Sequence, residues 1–324
     1  MRRVFIWSSV VLYFILQASI ANAQDLSSID LKSCFINQIL EKAKCATVKM
    51  PLDHRGKVDG DIDVFVAVIP ALSSQVLDDP LVVFSGGPGQ ATSDLGSMVG
   101  AAFKSIREHR EIILIDQRGT GKSTPLRCED TQETVYDAAK HIAAMRVCRA
   151  NYDFAVEYFT MANVIADSHA ILEALGYKQV NLWGVSWGTR SAVHYLRRYP
   201  DSVRTVIVDG VLPPDIGVFE TSPISATRAL NLLYEACRLD AACASAYGDI
   251  EHTINELIAK ATDSAIIYIG ADPVTGEQVT QAIGFMTLVQ NIRAILYTPQ
   301  QATMLPMALN KLNQGDGRAF MALT

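Results

Sequence analysis

The sequence predicts an α/β protein: a doubly wound, mostly parallel sheet followed by a mostly helical unit. Three observations predict it. Short, unbroken apolar runs at 80–84 and 112–115 are of the kind that strands show when both faces of a parallel sheet are covered, and 203–208 reads as a further strand. Helical patterns at 162–175 and 190–199 alternate with those runs, which is the cadence of strand–helix–strand units. Between them, Asn181–Thr189 contains Gly184-X-Ser186-X-Gly188, with apolar residues before it and a helical run after it. A serine at the apex of so sharp a strand-to-helix turn needs small residues two positions away on either side, because the two backbones pass closely there.

The chain has 324 residues, 49% hydrophobic and 19% charged, enough to bury a large core in one or two domains. At the N-terminus, Arg2 and Arg3 precede an apolar stretch from Val4 to Leu16 and then Ala21-Asn22-Ala23. This order predicts a secretory signal peptide over residues 1–23, with an uncleaved anchor helix as the alternative. Ser8, Ser9, Gln17 and Ser19 interrupt the apolar stretch and make it a poor membrane span. No later run is long enough to cross a bilayer, so a soluble, exported (periplasmic or extracellular) product with no stable membrane span is expected. Its 26 basic and 34 acidic residues give a net charge of −8, against −6 for the whole chain. That balance, without any Lys/Arg-rich run, excludes a nucleic-acid footprint.

Export places six cysteines in an oxidising compartment. They fall as sequence neighbours, and pairing of Cys34 with Cys45, Cys128 with Cys148 and Cys237 with Cys243 is expected; buried free thiols are the alternative. No C-X-X-C or H-E-X-X-H spacing supports a metal site.

In order, residues 24–50 are mixed and are expected to wrap the domain edge, and Asp61–Pro70 alternates as a strand. The strand at 80–84 ends in Ser85-Gly86-Gly87-Pro88-Gly89-Gln90, and the strand at 112–115 ends in Asp116-Gln117-Arg118-Gly119-Thr120-Gly121-Lys122-Ser123. Residues 131–175 read as helical, then come the serine turn, its helix, and a strand closing at Asp209-Gly210. Beyond Pro213-Pro214 the expected elements are helices over 222–247, 250–261, 280–296 and 302–312, with a short apolar run at 265–269. The expected division is therefore a signal at 1–23, a sheet domain at 24–215 and a mostly helical unit at 216–324.

Two glycine loops invite a phosphate-binding reading and fail on spacing. Gly121-Lys122-Ser123 would need a leading glycine where Asp116 stands, and Gly87-X-Gly89 reaches Thr92 where a third glycine belongs. No cofactor is expected. The first loop suits another use, because acyl transfer needs backbone N–H donors fixed before charge develops on the substrate carbonyl. Candidate donors are Trp187, directly after the serine, and Gly86 and Gly87; an ordinary Gly-Pro turn is the alternative.

Taken together, these segments resemble a known family. Ser85-Gly86-Gly87-Pro88-Gly89 resembles the H-G-G-P-G loop of proline iminopeptidases, Asp116–Ser123 their D-Q-R-G-X-G-X-S segment, and Gly184–Gly188 their serine elbow. Ser85 in place of His is more similar to the exported branch related to tripeptidyl aminopeptidases, as is the start Cys45-Ala46-Thr47-Val48-X-Met50-Pro51-Leu52-Asp53. The resemblance runs from about residue 45 to the end. It implies an α/β-hydrolase fold with an inserted helical cap, Ser186 as nucleophile, and short peptides as substrates, cut at their N-termini. An esterase or lactone hydrolase on the same scaffold and an inactive fragment are the other readings.

In that fold the triad acid and then His follow the serine. Only His194 and His252 do so here; His194 lies two turns along the helix leaving the serine, and His252 lies in the cap region. Asp209 and Asp272 are weak candidates for the acid. Glu220, Glu235 and Glu256 read as surface charges. The expectation is a C-terminally truncated chain whose last strands, acid and His lie beyond Thr324.

Overall fold

The computed structural model describes residues 29–36, 42–128, 138–272 and 274–324. The expected signal peptide and residues 131–137 of the expected 131–175 helix lie outside them. The described chain forms two compact units that divide between Pro214 and Asp215.

The first unit is a seven-stranded sheet. Its strands are β1 (Lys32–Cys34), β2 (Ala43–Pro51), β3 (Asp61–Ile69), β4 (Leu81–Phe84), β5 (Ile112–Ile115), β6 (Val180–Val185) and β7 (Val203–Asp209). They lie in the order β1-β2-β3-β5-β4-β6-β7. β5, β4, β6 and β7 run parallel, while β1, β2 and β3 pair antiparallel with one another and β3 pairs antiparallel with β5. The mixed segment before residue 50 therefore contributes two strands to the sheet edge. Their alternation was muted by small and polar residues: along β2, Ala43, Cys45, Val48 and Met50 face inward, with Lys44, Thr47 and Lys49 outward.

The helices of this unit are α1 (Gly96–Ala102), α2 (Lys104–Arg107), α3 (Ala138–Ala150), α4 (Met161–Ala174) and α5 (Gly188–Arg198). The unbroken apolar strands serve two faces, because successive side chains point to opposite sides of a sheet. Val82, Phe84, Ile113 and Leu182 join one core with Ile171 and Tyr195 of α4 and α5. Leu81, Val83, Leu114 and Trp183 join the other with Val99 of α1. Each fully buried aliphatic side chain of this kind stabilises the fold by about 1.5–3 kcal/mol.

One buried ion pair ties the sheet's edge to α4. Arg118 donates through Nε and Nη2 to Asp167 (2.8 and 2.7 Å) and through Nη1 and Nη2 to the carbonyls of Leu52, Tyr158 and Pro51. A guanidinium has five N–H donors, and five acceptors meet this one. Asp167 also takes His54 Nε2 at 2.6 Å. Full satisfaction is what makes such a pair tolerable in a core, where an uncompensated charge would cost about 3–5 kcal/mol.

The second unit contains α6 (Val218–Leu239), α7 (Ala241–Tyr247), α8 (Ile250–Asp263), β8 (Ile266–Ala271), β9 (Gln278–Ile283), α9 (Phe285–Ile295), α10 (Pro299–Ala302), α11 (Leu305–Asn313) and α12 (Arg318–Met321). Its core gathers Leu257, Tyr268, Leu288, Leu309 and Phe320. The expected helical stretch 131–175 is interrupted between Ala150 and Met161, and two expected helices of the second unit are corrected. The 222–247 segment breaks at Asp240, whose carboxylate caps α7 by accepting the Cys243 N–H at 2.8 Å. The 280–296 segment begins as β9, antiparallel to β8 from Ile266↔Ile283 to Ala271↔Gln278, and turns helical only after Gly284.

Disulfides join Cys34 to Cys45, Cys128 to Cys148 and Cys237 to Cys243. Among the described residues no helix is long and apolar enough to cross a membrane.

His169 on α4 stacks on Tyr199 and meets the Tyr195 hydroxyl through Nδ1 at 3.0 Å. Burial holds its pKa below 6.5, with Glu173 opposing part of that shift. A depressed histidine favours the neutral form in the folded state, so its contribution is full above pH 6.5 and is lost as pH falls through the lower, folded value. Urea unfolding between pH 7.5 and 5 should therefore show a fall in stability that His169→Gln flattens; an unchanged slope in the variant would contradict it.

Candidate active site

The loops at the carboxyl ends of β4, β5, β6 and β7 converge on Ser186, the crevice position where open α/β sheets place ligands. Ser186 is exposed and has φ +54° in the left-handed region, which few side chains adopt without strain. The turn is held from both sides. Its N–H donates to the Asp209 carbonyl at 2.8 Å, and its carbonyl accepts from the Thr189 N–H at 3.0 Å and the Thr189 hydroxyl at 2.7 Å.

Glycine at 184 and 188 lets the turn close. A Cβ at Gly184 would stand 2.4 Å from the Gly188 carbonyl oxygen, and one at Gly188 would stand 2.0 Å from the Phe84 carbonyl oxygen. Nothing larger than hydrogen fits between the start of α5 and the end of β4.

The glycine loop after β4 faces the serine. A Cβ built at Gly86 would lie 3.2 Å from Ser186 Cβ and 3.6 Å from its Oγ, so backbone alone occupies that side. Among the described residues, the N–H groups of Gly86, Gly87 and Trp187 donate to no acceptor in the chain. They are the unpaired donors that a helix start and a glycine turn leave over.

The segment after β5 anchors this loop from behind. The buried Asp116 carboxylate accepts the Ser93 N–H (2.8 Å), the Ser93 hydroxyl (3.0 Å) and the Lys122 N–H (3.1 Å). Ser123 donates to the Asp116 carbonyl at 2.7 Å and accepts from the Phe65 N–H at 2.8 Å. Asp116, Arg118 and Ser123 thus act as framework for the loops around the serine. The motif was visible in the sequence, but its partners Ser93 and Asp167 lie too far along the chain for spacing to find them.

Behind the serine, the Arg190 guanidinium lies over the Trp187 ring at 4.8 Å and donates to the Pro213 carbonyl at 2.8 Å. The Thr189 hydroxyl accepts the Leu212 N–H at 2.9 Å. The strand-end loop from Asp209 to Pro213 is thereby fastened to the first turn of α5.

Of the candidate acids, Asp209 is exposed at the end of β7, paired in register with Val185. Asp272 belongs to the second unit, in the β8–β9 turn. Its carboxylate accepts the Val274 and Thr275 N–H groups, and the backbone donors hold its pKa below the usual carboxylate range. Four histidines of the first unit have places away from Ser186 Oγ. His54, His109 and His169 meet Asp167, the Gln75 carbonyl and Tyr195, and His194 lies on α5, eight residues after Ser186. His252 pairs with Glu256 within α8 at 3.3 Å. Among the described residues no group of three or more His, Cys, Asp or Glu could hold a metal ion.

Residues 79–229 match the family model for the alpha/beta hydrolase fold, a stretch that contains all three motifs. The chain is 27% identical over 209 residues to a tripeptidyl aminopeptidase of Streptomyces lividans, covering 58% of this chain and 39% of that protein. It is 26% identical over 225 residues to the serine protease Hip1 of Mycobacterium tuberculosis, covering 62% and 42%. A proline iminopeptidase of Aeromonas sobria is 29% identical over 170 residues, covering 51% and 36%. The chain thus spans about two fifths of the length of the curated relatives it matches.

The packing of the turn makes a sharp contrast measurable. Gly188→Ala should cost at least about 3 kcal/mol or prevent folding, since the rigid Phe84 carbonyl stands in the way. Gly100→Ala, in α1 with open space around it, should gain about 0.5–1 kcal/mol. Similar denaturation midpoints for the two variants would contradict the close approach.

Proposed function

We propose that this chain, which carries an α/β-hydrolase fold, belongs to a serine hydrolase that releases residues from peptide N-termini through an acyl-enzyme on Ser186. The observation that carries the reading is Ser186 at φ +54°, facing unpaired backbone donors across a side-chain-free gap. Ser186 Oγ would attack the scissile carbonyl, and the oxyanion would take the N–H of Trp187 with that of Gly86 or Gly87. Donors fixed in advance need no reorganisation as charge develops, and each is worth on the order of 10²–10³ in rate. The peptidase direction is supported by the names of the relatives, because the serine and its donors alone do not separate amides from esters. The three disulfides support export to the periplasm or beyond.

A serine also needs a base for its proton and a carboxylate to orient that base. His54, His109 and His169 have ring partners other than Ser186, and His194 lies along α5; we propose that residues 1–324 carry the nucleophile and donors but not the triad acid and base. Loss of a triad histidine lowers kcat on the order of 10⁶-fold.

Assay of residues 24–324 on an amino-acyl anilide, its N-acetylated counterpart and a short-chain ester tests both parts. The expected outcome is trace anilide hydrolysis that requires the free N-terminus and disappears in Ser186→Ala. Ordinary enzyme rates lost in Ser186→Ala would place a base within these residues and overturn the second part. Hydrolysis equal in wild type and Ser186→Ala would overturn the first, and preference for the ester alone would redirect it to an esterase.

A further inference from the structure

We infer that Ser85 and Thr92 are positioning residues for the glycine-loop donors, a role that rests on Ser186 being the nucleophile. Ser85 is where the chain departs from the H-G-G-P-G form of the loop, and it lies fully buried beneath it with Thr92. Its Oγ donates to the Gln90 carbonyl at 2.7 Å, a stitch across the base of the loop from its first residue to its last. Ser85 and Thr92 hydroxyls lie 3.0 Å apart. Since Ser85 has one hydroxyl proton and spends it on Gln90, the proton between the two oxygens comes from Thr92. The result is a directed chain, Thr92 to Ser85 to the Gln90 carbonyl, in which the two hydroxyls are buried and each member polarises the next.

The loop needs such a restraint. Gly86, Gly87 and Gly89 lose more conformational freedom on ordering than any other residue, and no side chain of theirs packs to hold the backbone. The front of the loop is fixed where Phe84 pairs with Gly184, and its far end where Ser93 binds Asp116. Between those anchors the Ser85 hydroxyl holds a loop carbonyl, that of Gln90. Losing that bond would free the Gln90 carbonyl from the base of the loop and widen the range of directions the Gly86 and Gly87 N–H groups sample.

The test compares wild type with Ser85→Ala, Thr92→Val and Thr92→Ser by two readouts. The first is amide hydrogen exchange of a peptide spanning residues 84–90, whose retained amides are those of Gly86, Gly87, Gly89 and Gln90. The second is Ser186-dependent hydrolysis of 4-nitrophenyl acetate, taken as the difference from Ser186→Ala. This activated ester departs without a protonated leaving group, so its residual turnover reports the donors even without a strong base. Ser85→Ala should speed loop exchange about tenfold and lower kcat about tenfold with KM within about twofold, while peptides of β6 and α5 exchange as before. Thr92→Val, nearly isosteric, should move both readouts in the same direction by less, and Thr92→Ser should restore them. A merely structural role would leave kcat unmoved relative to KM.

Loop exchange within about twofold of wild type in both Ser85→Ala and Thr92→Val would overturn the inference, as would faster loop exchange with unchanged kcat. If Ser85→Ala fails to fold, Thr92→Val decides. Wild-type protein with no Ser186-dependent ester turnover would overturn the hydrolase reading instead, and the exchange result would still decide whether the hydroxyl pair restrains the loop.

Discussion

The approach of Gly188 to the carbonyl end of β4 is the constraint on which the rest of the first unit depends. With no side chain at 184 or 188, α5 starts directly against the β4 and β6 strand ends, and the residue between them is forced into the left-handed region. That residue is a serine, and its hydroxyl faces the loop that follows β4. The parallel quartet β5-β4-β6-β7 places four loops on one end of the sheet, so each framework interaction there bears on Ser186 directly or through one neighbour. Asp116 holds the far end of the glycine loop, Asp209 holds the serine N–H, and Arg190 with Thr189 holds the loop leaving β7.

β4, β5 and the serine turn were legible in the sequence because they combine unbroken apolar runs with glycines at defined offsets. The three disulfides join the sequence neighbours that simple proximity suggested. β1 and β2 were less legible. Alternation along β2 is carried by Ala43 and Cys45 as much as by Val48 and Met50, and small residues give a weak apolar signal. β9 passed for helix because Val279 and Ile283 are spaced as a helical pair, and Gly284 alone marked the change. The framework bonds Ser93–Asp116 and Arg118–Asp167 join residues 23 and 49 positions apart, which no local pattern encodes.

The buried polar network also explains how a glycine-rich site can stay ordered. Arg118 meets five acceptors, Asp116 three donors, and the Ser85–Thr92 pair closes on a backbone carbonyl. Such groups fix directions as apolar packing does not, because a hydrogen bond weakens steeply off its axis. The expected consequence is a serine turn that remains strained while its surroundings remain rigid, the arrangement in which strain persists at functional sites.

The central claim is that folding makes Ser186 the one preferentially reactive hydroxyl. Treating the folded protein with a 4-nitrophenyl amino-acyl ester, quenching in acid and mapping the acyl group by peptide mass spectrometry tests it directly. The account predicts acylation concentrated on the Ser186 peptide, and its disappearance when the same treatment follows unfolding in urea. Acyl groups spread over surface hydroxyls and amines, at the same extent with and without urea, would contradict it.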